Sequence, residues 1–381
     1  MTILRGITWD HPRGYDCLVG AAAEYQRAHP DTRIEWTARS LQAFADGPLE
    51  AMAADYDLLV IDHPHIPHAH ELRLLLPLEL TGRGDELEAL AAETIGESHA
   101  SYAHGGHQYG LAIDAAAQVA VYRPDLIGTA PHAWDEVFAL AVTGRVLWAA
   151  KPVDAISSLM TLAANLGSPV AARAGEFLDR STGLAAMQLM HRLAEAVPPW
   201  CLDANPIEIA EALSGGDEWA YSPLAFGYTN YSRAAYRPHR IAYVDMPRGP
   251  GGVAGSCLGG AGIAVSARTL HVDEAVTHAF WLASPDVQCG VYYASGGQPG
   301  YASAWDDDAV NADCLDFFRA TRATLDQSWL RPRYAGWLEV FEEVGVLVNR
   351  ALRGELTDDA VLRTAQQVYE RSLDAKTGTA R

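Results

Sequence analysis

Residues 104–126 read HGGHQYGLAIDAAAQVAVYRPDL, and this stretch decides how the rest of the chain is interpreted. Two alternating apolar patterns, Gln108–Ile113 and Gln118–Tyr122, predict two β-strands that meet at Asp114 and a run of alanines. The small side chains at 115–117 allow backbones and a ligand to approach closely. Because ligand pockets favour domain interfaces, we interpret the stretch as a crossing between two lobes with a carboxylate at the junction. The alternative is an ordinary pair of strands within one domain, with Asp114 in a turn.

The first 70 residues alternate between strand and helix patterns. Strands are predicted at 3–9, 32–37 and 56–61, with a helix that Asp16 can cap between the first two. A turn at Asp46-Gly47-Pro48 leads into a short Ala-rich helix before the third. This is a doubly wound α/β pattern, and ligands in such sheets bind outside the carboxyl ends of the strands. Those ends lie at 9–13 and 62–70.

Length and composition limit the possible functions. A chain of 381 residues predicts two domains, and a net charge of −20 argues against nucleic acid or an anionic membrane surface as partner. The five scattered cysteines form neither a disulfide framework nor a zinc pattern. No apolar run reaches the length of a membrane span, and no basic segment followed by an apolar one opens the sequence. We therefore expect a cytoplasmic protein as the sequence stands, or a periplasmic or extracellular one if a signal segment has been removed.

Four segments resemble one known family. The order of Gly, apolar strand, Asp, apolar strand and Tyr-Arg-Pro-Asp-Leu at 110–126 is similar to the central crossover of family 1 extracellular solute-binding proteins. LLPLEL at 75–80, APHAWDEVFALA at 130–141 and GSCLGGAGIAVSARTLHVDEAVTHAFWLASPDVQ at 255–288 resemble further segments of that family in the same order. The resemblance covers nearly the whole chain and contains no catalytic signature. It implies the type II periplasmic-binding-protein fold of ABC importers.

The implied fold is α/β with two lobes, each a mixed sheet flanked by helices, and a ligand cleft between the lobes. We expect the first lobe to comprise 1–113 and 259–318, and the second 114–258 and 319–381. Two or three crossing strands would form a hinge that closes when a ligand contacts both lobes.

The segment DHPHIPHAH at 62–70 carries the densest polar chemistry in the chain. Four histidines beside Asp62 suggest a metal site, because imidazole is a common metal ligand. Two prolines interrupt the segment, and neither a zincin spacing nor a closed set of four ligands is present. We therefore interpret it as a polar loop that faces a ligand and expect neither a metal nor a cofactor; a plain surface loop is the alternative.

Candidate ligand-binding residues follow from strand ends, crossovers and exposed aromatic groups. They are Trp9, His11, Asp62, His63, Asp114, Trp148, Tyr221, Tyr228, Gly259 and Gln298. Trp148 is expected near the end of a strand at 144–152, and Gln298 in an exposed turn between glycines. Carboxylates with Trp and Tyr favour a hydroxylated neutral solute, since Asp accepts hydroxyl hydrogens and rings pack against C–H faces. An anionic solute is the alternative, because His11 and Arg13 could carry positive charge to it. Replacing Asp114 with alanine is expected to weaken binding without unfolding the protein.

Two classes of function remain open. The first is the substrate-binding component of an ABC importer for a small sugar-like or other organic solute, a monomer whose implied partner is an ABC permease. The second is a cytoplasmic enzyme or ligand sensor on the same fold, with Asp62 and His63 as acid and base. No Walker motif, nucleophile elbow or HExxH motif supports an enzyme. The missing export signal favours the second class, and the long resemblance favours the first.

Overall fold

The computed structural model describes residues 1–40 and 49–378, and only the backbone of 375–378. The predicted turn at Asp46-Gly47-Pro48 lies outside the described residues. The strands are β1 Thr2–Trp9, β2 Thr32–Arg39, β3 Leu58–Ile61, β4 Ala103–His104, β5 His107–Gln108, β6 Gly110–Tyr122, β7 Tyr221–Phe226, β8 Ala242–Val244 and β9 Leu258–Val265.

The helices alternate with these strands in the first part of the chain and dominate the last part. They are α1 Asp16–Ala28, α2 Leu49–Asp55, α3 Ile66–Glu71, α4 Gly84–Ala92, α5 Pro124–Ile127, α6 Trp134–Ala141, α7 Pro152–Asn165, α8 Arg180–Ala196, α9 Pro206–Gly215, α10 Val272–Ala283, α11 Pro285–Val287, α12 Ala302–Asp306, α13 Asp308–Asp313, α14 Phe317–Asp326, α15 Trp337–Leu352 and α16 Asp358–Gly378. Within the described residues, no helix is both long enough and apolar enough to span a membrane.

The chain divides into two compact units, each built from two segments. Unit 1 comprises 1–115 and 259–312, and unit 2 comprises 116–258 and 313–381. Asp114 therefore lies in unit 1, two residues before the chain passes into unit 2.

Unit 1 is built on a mixed sheet whose strand order is β2, β1, β3, β9 and the first part of β6. β1 runs parallel to β2 and to β3, and β9 runs antiparallel to β3 with Leu58 opposite Val265. The four residues of β3 are fully buried because both faces of the sheet are covered. Leu58 and Val60 join the core formed with α1 and α10, and Leu59 and Ile61 join the core formed with α2 and α3.

β6 is one continuous strand of 13 residues. The sequence predicted two strands separated at Asp114, and this prediction is wrong. All residues of β6 except Tyr122 are buried, and the irregularity in its pairing lies between Val119 and Val121.

Unit 2 combines a small antiparallel sheet with packed helices. The second part of β6 pairs with β7, Gln118 opposite Phe226, and with β8, Ala120 opposite Val244. The predicted strand at 144–152 is reduced to a single bridge between Val146 and Tyr221. α7 packs against α15, and α15 against α16. The side-chain amide of Asn349 on α15 donates hydrogen bonds to the carbonyl oxygens of Ala150 at 2.8 Å and Leu202 at 2.7 Å.

Candidate functional site

The carboxyl ends of β1 and β3 lie at the same edge of the unit 1 sheet because these strands are parallel. Trp9 is the last residue of β1, and Asp62 follows Ile61 at the end of β3. Trp9 and His11 therefore lie at the end of β1, and Asp62 and His63 follow the end of the neighbouring β3. Both strand ends lie where the sequence predicted them.

The loop after β1, Asp10–Tyr15, which we call the β1 loop, is held by internal hydrogen bonds. The backbone N–H groups of Gly14 and Tyr15 both donate to the His11 carbonyl, at 2.8 and 2.7 Å, and the Arg13 N–H donates to His11 Nδ1 at 3.1 Å. The Trp9 ring lies over Gly14, where a Cβ atom would come within 2.2 Å of the indole. Any larger residue at 14 would displace Trp9.

Arg13 and Asp114 form a buried ion pair within unit 1. Arg13 Nε donates to Asp114 Oδ2 at 2.6 Å and Nη2 donates to Oδ1 at 2.5 Å. The two side chains are 6% and 0% exposed. Burial raises the pKa of the Asp114 carboxyl, and the Arg13 charge opposes that shift. Both carboxylate oxygens of Asp114 are thus engaged by Arg13, which the sequence suggested only as a contact for an anionic solute.

Asp62 and His63 lie at the start of a short 3₁₀ helix, His63–His65. Asp62 Oδ1 accepts the His63 backbone N–H at 2.8 Å and lies 3.0 Å from His63 Nδ1. The Asp62 side chain is 26% exposed, whereas that of His63 is 1% exposed. The Asp62 carboxylate is therefore partly exposed at this edge of the sheet, while the His63 side chain is buried.

The interpretation of 62–70 as a loop is wrong. His63–His65 is a 3₁₀ helix and α3 follows it directly, because Pro64 and Pro67 each occupy a first-turn position, where a missing N–H costs nothing. Among the described residues, no three His, Cys, Asp or Glu side chains are grouped so as to hold a metal ion.

Gln298 and the start of β9 contact the last residues of unit 1 before the crossing. Gln298 Nε2 donates to the Ala115 carbonyl at 2.9 Å, and its side chain is buried, so the expectation of an exposed turn is wrong. Gly259 is the second residue of β9. Its neighbour Gly260 has φ of +117°, and a Cβ atom there would lie 2.3 Å from the Asp114 carbonyl oxygen.

In unit 2, Trp148 belongs to a buried polar network. Its Nε1 donates a hydrogen bond to Ser158 Oγ at 3.3 Å, and the same Oγ accepts a hydrogen bond from Gln118 Nε2 at 3.1 Å. Thr161 Oγ1 donates to Gln118 Oε1 at 2.7 Å. Sequence reasoning missed Gln118 and Ser158, although a lone polar residue inside AAAQVAV was the signal that could have found Gln118.

Tyr221 and Tyr228 lie on and just after β7. Tyr221 is fully buried, burial raises the pKa of its phenol, and its hydroxyl has no hydrogen-bond partner among the described residues. Tyr228 is 7% exposed. The backbone of Tyr221 accepts the Leu147 N–H at 2.9 Å, which places this strand beside the segment that carries Trp148.

A family model described as "Bacterial extracellular solute-binding protein" matches residues 20–316. No match was found among curated protein sequences.

Solved structures of low sequence identity share the fold. The maltose-bound MalE3 of T. maritima has 18% identity and a TM-score of 0.81, over 96% of this chain and 98% of that chain. A solute-binding protein of Agrobacterium radiobacter K84 in complex with ribitol has 19% identity and a TM-score of 0.82, over 97% and 98%. One from Thermotoga lettingae TMO bound with α-D-tagatose has 16% identity and a TM-score of 0.83, over 98% and 100%. These similarities confirm the predicted type II periplasmic-binding-protein fold.

Proposed function

Since the chain belongs to the family of bacterial extracellular solute-binding proteins, we propose that it takes a small, uncharged, hydroxylated solute as the substrate-binding component of an ABC importer. The family match over 20–316 is the observation that carries this proposal. The maltose, ribitol and α-D-tagatose complexes of similarly folded proteins support the choice of sugars and polyols as the solute class.

The charges of unit 1 favour an uncharged solute over an anion. Arg13 is neutralised by Asp114, and the exposed part of Asp62 is an acceptor for hydroxyl groups. The net charge of −20 further disfavours the approach of an anion.

The side chains proposed to bind the solute are assigned to each unit in turn. In unit 1 these are Trp9, His11, Asp62 and His63, and in unit 2 Trp148, Tyr221 and Tyr228. Gly259 and Gln298 complete the proposed set where the chain leaves and re-enters unit 1. Asp114, whose carboxylate oxygens are held by Arg13, would support this set without touching the solute. The rings would cover C–H faces of the solute while Asp62 fixes its hydroxyl groups.

The implied partner is an ABC permease, and the chain would work as a monomer outside the cytoplasm, in keeping with the description of its family. Cell fractionation of the source organism separates this proposal from a cytoplasmic location.

A thermal-shift series tests the solute class. Maltose, ribitol and D-tagatose, followed by a wider set of neutral sugars and polyols, are added to the purified chain. Stabilisation grows as RT ln(1 + [L]/Kd), about 2.7 kcal/mol at a hundredfold excess over Kd, so even weak ligands raise Tm. The class is wrong if none of these compounds raises Tm while anionic compounds of similar size do.

An enzyme is the second candidate, and the distance of 3.0 Å between Asp62 Oδ1 and His63 Nδ1 favours it. Incubation with a bound solute followed by mass spectrometry separates the two functions. A binding protein returns the solute unchanged, whereas an enzyme returns a product that differs from the solute in mass or, for an isomerisation, in chromatographic retention.

A further inference from the structure

The Arg13–Asp114 pair joins two parts of unit 1 that are distant in sequence. Asp114 lies on β6. Arg13 lies in the β1 loop, which follows Trp9, contains His11 and leads into helix α1. The two bonds, at 2.6 and 2.5 Å, fix both the position and the rotation of the guanidinium plane.

The backbone of Arg13 is fixed as firmly as its side chain. Its N–H donates to His11 Nδ1 at 3.1 Å, and its carbonyl accepts the Cys17 thiol at 3.0 Å. The Gly14 carbonyl accepts Thr8 Oγ1 at 2.7 Å. A shift of the guanidinium would therefore move the His11 ring and the Gly14 surface beneath Trp9.

Asp114 is a rigid anchor for this loop. Its carbonyl oxygen lies against Gly260, where a Cβ atom would come within 2.3 Å, and the next carbonyl, that of Ala115, accepts Gln298 Nε2 at 2.9 Å. The loop is thus attached to the part of unit 1 from which the chain continues into unit 2.

We propose that Arg13 and Asp114 are positioning residues, a clamp that holds the β1 loop so that Trp9 and His11 are oriented before a solute arrives. The role of the clamp in solute binding rests on the function proposed above; its effect on the loop does not. Asp114 then acts on the solute through Arg13 rather than by direct contact.

Amide hydrogen exchange of the full chain without solute tests the clamp. The variant Arg13→Met/Asp114→Leu replaces the buried charges with apolar groups of similar size and avoids an unpaired charge. We expect the backbone amides at positions 13, 14 and 15 to exchange at least tenfold faster in this variant than in the unmodified chain. Its Tm should shift by no more than a few degrees. The single variant Arg13→Lys, which keeps the charge but loses the bidentate geometry, should give an intermediate rate.

Arg123→Met is the matched control, since Arg123 is a buried arginine of unit 2 whose side chain is 0% exposed. It should leave exchange in the β1 loop unchanged. The clamp is overturned if the double variant exchanges at the unmodified rate in the loop, or if exchange rises equally throughout unit 1.

Solute affinity, measured with maltose, ribitol and D-tagatose, separates this inference from the proposed function. If none of the three binds the unmodified chain, the solute class is in question, while the exchange result still decides the clamp. If one binds, the effects of Arg13→Met and Asp114→Leu on its Kd should be non-additive. Additive effects would make Asp114 a direct contact and would overturn its positioning role.

Discussion

Arg13 and Asp114, separated by 101 positions in the sequence, share a bidentate ion pair that is almost completely buried. Removing one partner of such a pair leaves a buried charge uncompensated, which costs roughly 3–5 kcal/mol. We therefore expect Asp114→Ala to lower the free energy of unfolding by about that amount in urea denaturation. The expectation based on sequence alone, that Asp114→Ala greatly weakens binding without unfolding the protein, included no such loss of stability.

The matched comparison is Arg13→Met/Asp114→Leu, in which both charges are replaced. Its free energy of unfolding should lie much closer to that of the unmodified chain. If Asp114→Ala and the double variant are equally unstable, the lost stability comes from packing and not from an unpaired charge.

Asn349 should be one of the most sensitive polar positions of unit 2. Its amide satisfies the carbonyl oxygens of Ala150 and Leu202, and an unsatisfied buried acceptor costs roughly 1–3 kcal/mol. Asn349→Leu should thus lower the free energy of unfolding by at least about 2 kcal/mol. Arg350→Ala, which removes an exposed ion pair with Glu355, should cost less than about 1 kcal/mol. Equal effects of the two substitutions would refute this role of Asn349.

Asp154 should make stability depend on pH. It is 4% exposed in the first turn of α7, and burial raises the pKa of its carboxyl from 3.8 to about 7, with Lys151 opposing and Glu208 reinforcing the shift. Between pH 4 and 7, the folded state therefore keeps a proton on Asp154 that the unfolded state has already released. The contribution of Asp154 is fully present below pH 4 and is lost as the pH rises through 7, a change on the order of 4 kcal/mol.

Urea denaturation at pH 5 and pH 8 measures this dependence. Asp154→Asn cannot titrate and should reduce the difference in stability between the two pH values. If the variant retains the full difference, other groups cause it.

Asp62→Asn tests the most exposed carboxylate of the proposed site. The amide oxygen can still accept the His63 N–H, so the 3₁₀ helix should persist and Tm should change little. Loss of a hydrogen bond between a solute hydroxyl and a charged group costs about 1.5–3 kcal/mol, or at least tenfold in Kd. Calorimetric titration with a solute found by thermal shift measures the change in Kd between the unmodified chain and Asp62→Asn. An unchanged Kd would remove Asp62 from the site.

Most of the fold could be predicted from the sequence because its elements follow local patterns. The strands predicted at 3–9, 32–37 and 56–61 become β1, β2 and β3. The continuity of β6 could not be predicted, because a charged residue inside a strand normally marks a break. Arg13 neutralises Asp114 there, and no local signal indicates a partner so far away in sequence.

The candidate site was predictable only in part. Strand ends identify Trp9 and Asp62, since topology alone brings the carboxyl ends of parallel strands together. The networks around them depend on side-chain geometry: Gln298 is buried against Ala115, and Trp148 shares Ser158 with Gln118. Spacing in the sequence carries no information about such contacts.

Native mass spectrometry of the purified chain, mixed with neutral sugars and polyols, tests the central claim most directly. We predict one solute molecule per chain, released with its mass unchanged when the protein is denatured. A folded chain that retains no compound from the mixture, or that releases a product of altered mass, would contradict solute binding as its function.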